Sequence, residues 1–369
     1  MIYLDYQATT PLAPEAKAAM LPWLDQFANP HSASSAGRAA AAAIEHARDQ
    51  VAAGFPPGGR TIFTGSATEA LNAAILGVAD LAPASRRRIL VLATEHAAVL
   101  DSADSLLRRG FAVERIGVGG NGLVDLATLD AALGDDVALV AAMLVNNEIG
   151  VIQPIAAIAA AAHAVGAPML CDAVQGYGKL AIPDGPDLIA VSAHKLHGPK
   201  MIGALWLRDA FALPTWLHGG GQEQGLRSGT LSPMLCAGFG AAAALALERR
   251  EADRVHVERL WTAARDALGP DWHLNGSADQ RHHGNLNLSR PGLDAARLLS
   301  DCRGIAFSLG SACASGSGRT SHVLKAIGLS ASEARASIRL GFGRYTDEAE
   351  LIAACQRLDA AARAQRFVA

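Results

Sequence analysis

Ser192-Ala193-His194-Lys195 lies between two apolar runs, Asp187-Leu-Ile-Ala-Val and Ile202 to Leu207, so that a lysine stands where a strand ends. The preceding β-rich run, Met169-Leu-Cys-Asp-Ala-Val-Gln175, carries Asp172 and Gln175 at its own end. An amine, a carboxylate and an amide on neighbouring strand ends are the three groups that hold pyridoxal 5'-phosphate. The amine condenses with the aldehyde, and the carboxylate keeps the ring nitrogen protonated so that the ring accepts electrons from a carbanion. Lys195 alone reads as a surface lysine after a core strand. Asp172 and Gln175 reverse that reading.

Further polar groups follow other apolar runs. Thr64-Gly-Ser-Ala-Thr-Glu-Ala70 brings small residues, a hydroxyl and backbone N–H groups to a helix start, a ready phosphate site. Taken alone it reads first as an ordinary N-cap with Glu69 in the first turn. His96, in Thr-Glu-His-Ala-Ala-Val-Leu, is either a helix-start residue or a flat ring that stacks on a cofactor and moves protons. In Val145-Asn-Asn-Glu-Ile-Gly150, Asn147 either shapes a turn or hydrogen-bonds a ligand carboxylate or ring oxygen. The glycine-rich Leu217 to Thr230 segment is a flexible loop or a backbone phosphate binder. His282 and His283 have no partner at metal-ligand spacing and read as solvated.

Five cysteines form no CxxC pair and no disulfide framework, which favours a reducing compartment. Cys171, Cys236, Cys302 and Cys355 sit in apolar contexts as small core residues. Cys313, within Gly310-Ser-Ala-Cys-Ala-Ser-Gly-Ser-Gly-Arg319, lies in a run that can hardly pack as a core, and an exposed mobile loop is expected there.

These residues need a scaffold that gathers strand ends. From about residue 60 (RTIFTG) the chain alternates short β-rich runs with alanine-rich helical ones: RRILVLAT, FAVERIGV, VALVAAMLV, PMLCDAV, LIAVSA, GALWL. Such alternation predicts an α/β fold, a mostly parallel sheet wrapped by helices, whose ligands bind beyond the carboxyl ends of the strands. A helix over Leu235 to Arg250 closes this domain. The remainder, with strand-like Gly284 to Ser289 and Ala336 to Gly341, reads as a smaller α+β lobe. The expected division is 13–251 for the large domain, and 1–12 with 252–369 for the small one.

Half of the 369 residues are hydrophobic, enough for a large domain and a smaller one. A formal charge of -3 gives no general attraction to nucleic acid or anionic membrane, and Arg86-Arg87-Arg88 reads as a solvated strand entry. The first residues lack a basic start and an apolar signal core, and the alanine-rich stretches are broken before spanning length. A cytoplasmic enzyme with no nucleic-acid or membrane partner is expected.

The chain resembles the cysteine desulfurases of the aminotransferase class V group, pyridoxal-phosphate enzymes of fold-type I. Ten ordered blocks carry the likeness across nearly the whole chain: YLDYQATTP, NPHSASSAGR, GSATEALN, TEHAAVL, VNNEIGVIQPI, CDAVQGYGKL, SAHKLHGPKMIGAL, HGGGQEQGLRSGT, GSACASGSGRTSHVLKAIG and SIRLGFGRYT. The resemblance implies that Lys195 carries the cofactor as an imine, Asp172 pairs with its ring nitrogen, Gln175 bonds the ring hydroxyl, and His96 stacks on the ring as acid-base. It implies that Ala67, Thr68, Ser192 and His194 hold the phosphate, with Thr230 reaching it from the other subunit of a homodimer. Asn147 and Arg339 would anchor the carboxylate of L-cysteine. Cys313 would be the nucleophile that takes sulfur as a persulfide, leaving alanine; a free thiol titrates near 8.5, so it must be deprotonated first.

The SACASGSGRTSHVL segment resembles desulfurases with a long cysteine loop that hands sulfur directly to a bound protein acceptor, although it lacks the proline usual before Ser-His-Val. The chain stops thirty residues after Arg339, where relatives that feed an iron-sulfur scaffold carry a longer tail. The acceptor therefore stays open between an iron-sulfur scaffold, a tRNA-thiolation enzyme and a DNA-sulfur-modification system. Rival readings are a selenocysteine lyase, another class V aminotransferase, or a desulfurase-like platform subunit.

Overall fold

The computed structural model describes residues 1–310 and 321–365. The strands, in chain order, are β1 (Ile2–Tyr3), β2 (Gly59–Thr64), β3 (Arg88–Leu92), β4 (Ala112–Ile116), β5 (Val137–Met143), β6 (Met169–Asp172), β7 (Leu188–Ser192), β8 (Gly203–Arg208), β9 (His273–Leu274), β10 (Asn285–Ser289), β11 (Ile305–Ala306), β12 (Ser308–Leu309) and β13 (Ser337–Gly341). β2 to β8 form one seven-stranded sheet in the order β2-β8-β7-β6-β5-β3-β4. Only β8 runs against its neighbours, pairing antiparallel with both β2 and β7. All the other strands therefore end on one edge. That edge receives the segments after β2, β3, β5, β6 and β7, which hold most of the polar groups singled out above.

Alternation within the strands sends successive side chains to opposite faces. Ile89 and Val91 pack with Leu139, Leu170, Leu188 and Leu205 on one side. Leu90 and Leu92 pack with Val140, Cys171, Ile189 and Trp206 on the other. Burial on both faces explains why these strands read as continuous apolar runs. The seven runs seen in the sequence are the seven strands, the α/β arrangement expected.

A third apolar core lies elsewhere, under the antiparallel sheet β12-β13-β10-β9. The helix Pro233–Leu268 connects the cores and is longer than the sequence suggested, 36 residues without a break at Arg250. Beyond Arg250 the residues remain good helix formers, and Val257, Leu260, Trp261, Ala264 and Leu268 keep helical spacing into the third core. The N-terminal segment crosses to the same region. β1 pairs with β11, and Asp5 bridges to Gly341. No helix among the described residues is long and apolar enough to cross a membrane.

Two local readings need correction. Arg86-Arg87-Arg88 is not simply solvated: Arg86 donates to the carbonyls of Val137 and Val165, Arg87 lies over the Phe111 ring, and Arg88 pairs with Glu114 and Asp136. His283 is likewise not solvated, because it pairs with Glu258 and stacks on Trp261 at 4.3 Å. Both contacts join residues distant in sequence, so neither leaves a local signal. Cys171, Cys236, Cys302 and Cys355 are buried, as expected of core residues.

Candidate active site

A cavity of about 420 Å³ opens at the shared strand edge. It is lined by Ala67, Thr68, His96, Asn147, Asp172, Gln175, Ser192, His194, Lys195 and Arg339, together with Asp5, Gln7, Ser66 and Ser308. Its size falls in the ordinary range for small-molecule sites. Thr230 is exposed and does not line this cavity in its own chain, and Cys313 lies outside the described residues.

At one end stands the start of the helix Ala67–Leu81, with Ser66 as N-cap accepting from the Glu69 N–H at 3.2 Å. The strand beside it must come very close. A Cβ on Gly203 would meet Val191 O at 2.6 Å, the Ser66 carbonyl carbon at 2.8 Å and Ala67 N at 2.9 Å, all backbone atoms. Glycine at that position lets the helix start pack against β8 and aim its free N–H groups into the cavity. Ser192 and His194 approach the same space from the end of β7.

Glu69 follows Ser66 in the same helix start. Besides standing in the first helical turn, its carboxylate accepts from Gly65 N, Trp216 Nε1 and Arg227. Together with the Arg48–Glu223 pair at 2.7 Å, this ties down the glycine-rich segment. That segment does not reach the cavity in its own chain.

Lys195 donates to Ala8 O at 2.8 Å and to Gln7 O. The Gln7 carbonyl also accepts from Gln175 Nε2 at 3.0 Å, so the N-terminal segment links the amine and the amide. Asp172 accepts from Val174 N at 2.9 Å. Burial pushes its carboxyl above the usual range, while His96 and Lys195 oppose that shift. A carboxylate desolvated in this way gains most from a cation placed beside it.

His96 caps the helix Ala97–Ser105 by accepting from Ala98 N at its Nδ1, 3.1 Å away. An accepting Nδ1 leaves the ring proton on Nε2. Burial holds the imidazole below its ordinary pKa, with Asp172 acting the other way, so the ring is neutral near pH 7. The preceding residue, Glu95, is fully buried, and its Oε1 accepts from Met143 N at 2.7 Å. Burial and then Asp172 raise it well above a normal glutamate.

Arg339 reaches the cavity from β13 and is 1% exposed. Its Nη2 pairs with Asp5 Oδ1 at 2.7 Å and donates to Ser308 Oγ at 3.1 Å, while Nη1 donates to the Asn147 carbonyl at 3.0 Å. Asp5, Gln7 and Ser308 had been given no role from the sequence. Asp5 and Gln7 belong to YLDYQATTP, where two polar side chains break an apolar start, and that was the one available clue. Glu148 was missed too: it is buried and accepts a short hydrogen bond from Ser321 Oγ, while the neighbouring His322 meets the Glu95 carbonyl at 2.9 Å.

The aminotransferase class-V family model matches residues 2–353. "Cysteine desulfurase IscS" of Rickettsia bellii (strain OSU 85-389) is 41% identical over 361 residues, covering 95% of this chain and 88% of that protein. Among solved structures, a NifS-like protein superposes with a TM-score of 0.89 at 30% identity, covering 98% of both chains. SspA, solved in complex with cysteine, gives a TM-score of 0.81 at 32% identity, covering 94% of this chain and all of that one.

Proposed function

Because the chain belongs to the aminotransferase class-V family, and its relatives of about 40% identity are cysteine desulfurases, we infer that it is a pyridoxal-phosphate-dependent cysteine desulfurase. The observation that carries this reading is one cavity lined by an amine, a buried carboxylate, a neutral imidazole, a helix start and an arginine from the sheet over the third core. The donor set fits the cofactor. The helix N–H groups at Ala67 and Thr68, with Ser192 and His194, suit a phosphate; Asp172 suits a protonated ring nitrogen; Gln175 suits a ring hydroxyl; and Lys195 suits an aldehyde.

When bound, pyridoxal phosphate supplies the electron sink that weakens bonds to the substrate's α- and β-carbons. The protein supplies the rest. The Gln7 and Ala8 carbonyls orient the Lys195 amine. Asp172, desolvated beside His96 and Lys195, would hold positive charge on the ring nitrogen. His96, neutral near pH 7, can take a proton and give it back. Arg339 and Asn147 receive the carboxylate of L-cysteine. Cys313, as a thiolate, attacks the substrate's sulfur: an S–S bond forms as the substrate's Cβ–S bond breaks, the electron pair stays on the carbon side, and protonation there releases L-alanine and leaves a persulfide on Cys313.

The molecule is divided at the helix Pro233–Leu268 into a large domain (13–251) and a small one (1–12 and 252–369). Separate apolar cores support this division. A homodimer in which Thr230 completes the phosphate site of the other subunit is consistent with that residue's exposure. The persulfide passes to a protein acceptor in the cytoplasm, an iron-sulfur scaffold or a thiolation enzyme.

The test is alanine and sulfide production from L-cysteine with added reductant, run on wild type, Cys313→Ser and Lys195→Ala beside their visible spectra. Equimolar products from wild type, lost in Cys313→Ser with its cofactor band intact, are expected. Normal turnover by Cys313→Ser would remove the persulfide assignment. Turnover or a cofactor band in Lys195→Ala would remove the cofactor assignment.

A further inference from the structure

A second cavity, of about 230 Å³, lies where the helix Pro233–Leu268 passes between the first and third cores. It shares only Gln7 with the lining of the active-site cavity. Its walls are largely apolar, with Leu180, Leu196 and Phe342 among them, yet its ionic groups do not balance. Of its two carboxylates, Asp253 is held by Arg344 at 2.6 Å and faces Arg249 at 3.5 Å, and Glu258 is paired with His283 at 2.5 Å. Arg254 is paired outward with Glu251 at 2.6 Å.

Three cations in the lining then remain. Lys179 donates to Gln175 O at 3.1 Å and to Gln175 Oε1 at 3.4 Å. Arg281 is 5% exposed and donates to the carbonyls of Asn275, Ser277 and Asn285, with its Nη2 buried and without a hydrogen-bond partner. Arg250 completes the set. Among the described residues, none of the three has a carboxylate within ion-pair distance.

Cations drawn together in a half-enclosed apolar space without an anion are costly. The cost of their burial shows in how the groups here titrate. Burial and the charge of Lys195 bring Lys179 down to about 7, so an anion beside it would be what holds it in the ammonium form, and burial with Lys179, His283 and Arg281 nearby brings His282 down to about 3, so that histidine stays neutral.

We propose that this cavity is a binding site for a small organic carboxylate, whose apolar body sits against Leu180, Leu196 and Phe342 and whose carboxylate is received by Lys179, Arg250 and Arg281. Its volume is below that of a drug-sized site, which limits the ligand to about one small ring or short chain beyond the carboxylate. The active-site arginine, Arg339, is not part of the lining, so occupancy here does not require the substrate site.

The holoenzyme would be titrated calorimetrically with benzoate, with benzamide as the neutral isostere and inorganic phosphate as the anion without an apolar body. The expected result is saturable benzoate binding, little binding of benzamide or phosphate, and affinity for benzoate reduced at least about tenfold in Arg250→Met, the loss of one charge-assisted contact. Arg250 is half-buried on a long helix, and a melting curve establishes that the variant is folded; Arg250→Gln provides a second variant. No benzoate binding at millimolar concentration, or binding unchanged in both variants, would overturn the site. Phosphate bound as tightly as benzoate would overturn the organic ligand class.

Discussion

Asp5→Asn should weaken the fold and strengthen substrate binding at the same time. Asp5 and Arg339 are 334 positions apart, and their 2.7 Å contact is accompanied by a 2.8 Å hydrogen bond from Ser308 Oγ to the same Asp5 oxygen. The arginine side chain is 2% exposed and the aspartate 19%. Asparagine keeps an accepting oxygen in that place and loses the charge. The difference between charge-assisted and neutral hydrogen bonds is about 1–2 kcal/mol, which lowers the melting temperature by about 2–8 °C for a cooperative unit of domain size. The effect on substrate has the opposite sign. Under the role proposed for Arg339, Asp5 and the substrate carboxylate share one guanidinium. At a separation on the order of 6 Å and an effective dielectric constant near 20, their repulsion is about 3 kcal/mol, and solvent at the exposed edge of Asp5 reduces it to about 1–2 kcal/mol. Arg339 stays in place through Asn147 O and Ser308 Oγ, so KM for L-cysteine and the dissociation constant of L-alanine should both fall about 5- to 30-fold. Steady-state kinetics, a spectral titration with L-alanine and a thermal melt measure the three quantities. A lower melting temperature with KM unchanged or raised would refute the idea that Asp5 and the substrate compete for Arg339.

His96→Gln should retain cofactor and lose about 10²- to 10⁴-fold in kcat; because burial lowers the pKa of His96, the acid limb of wild-type kcat should lie below the ordinary histidine range, and a limb above it would argue against this role. Gly203→Ala places a Cβ against backbone on three sides and should cost about 1–3 kcal/mol while weakening cofactor retention, both read by melting with and without pyridoxal phosphate; an unaltered melting curve would refute the close-packing account. His197 is 7% exposed and is brought down to about 4, chiefly by burial. Its unfolded form protonates below about 6.5 and its folded form only below about 4, so its contribution is full above the first value and drains as pH falls toward the second, reaching about 3 kcal/mol. His197→Asn, a residue that tolerates the left-handed backbone at φ 69, should flatten the melting temperature over that window; an unchanged slope would show that other groups set it.

The order of strands along the chain and the polar residues that follow them were legible because both are local properties. A fully buried strand is a short apolar run; Lys195, Asn147 and His96 each come a few residues after one, and Asp172 ends one. Once those runs form a parallel sheet, the carboxyl ends share an edge, and residues remote in sequence line one cavity without any further pattern to announce it. Tertiary structure alone decided the rest. The Asp5–Ser308–Arg339 cluster, the Glu148–Ser321 contact, the continuation of the long helix beyond Arg250 and the second cavity all depend on how the small sheet and the N-terminal segment meet the large one. A charged side chain carries no local sign of its partner. Arg281 only stands beside His282 and His283 in the sequence, and folding alone places it, with Lys179 and Arg250, around a space whose carboxylates are already taken.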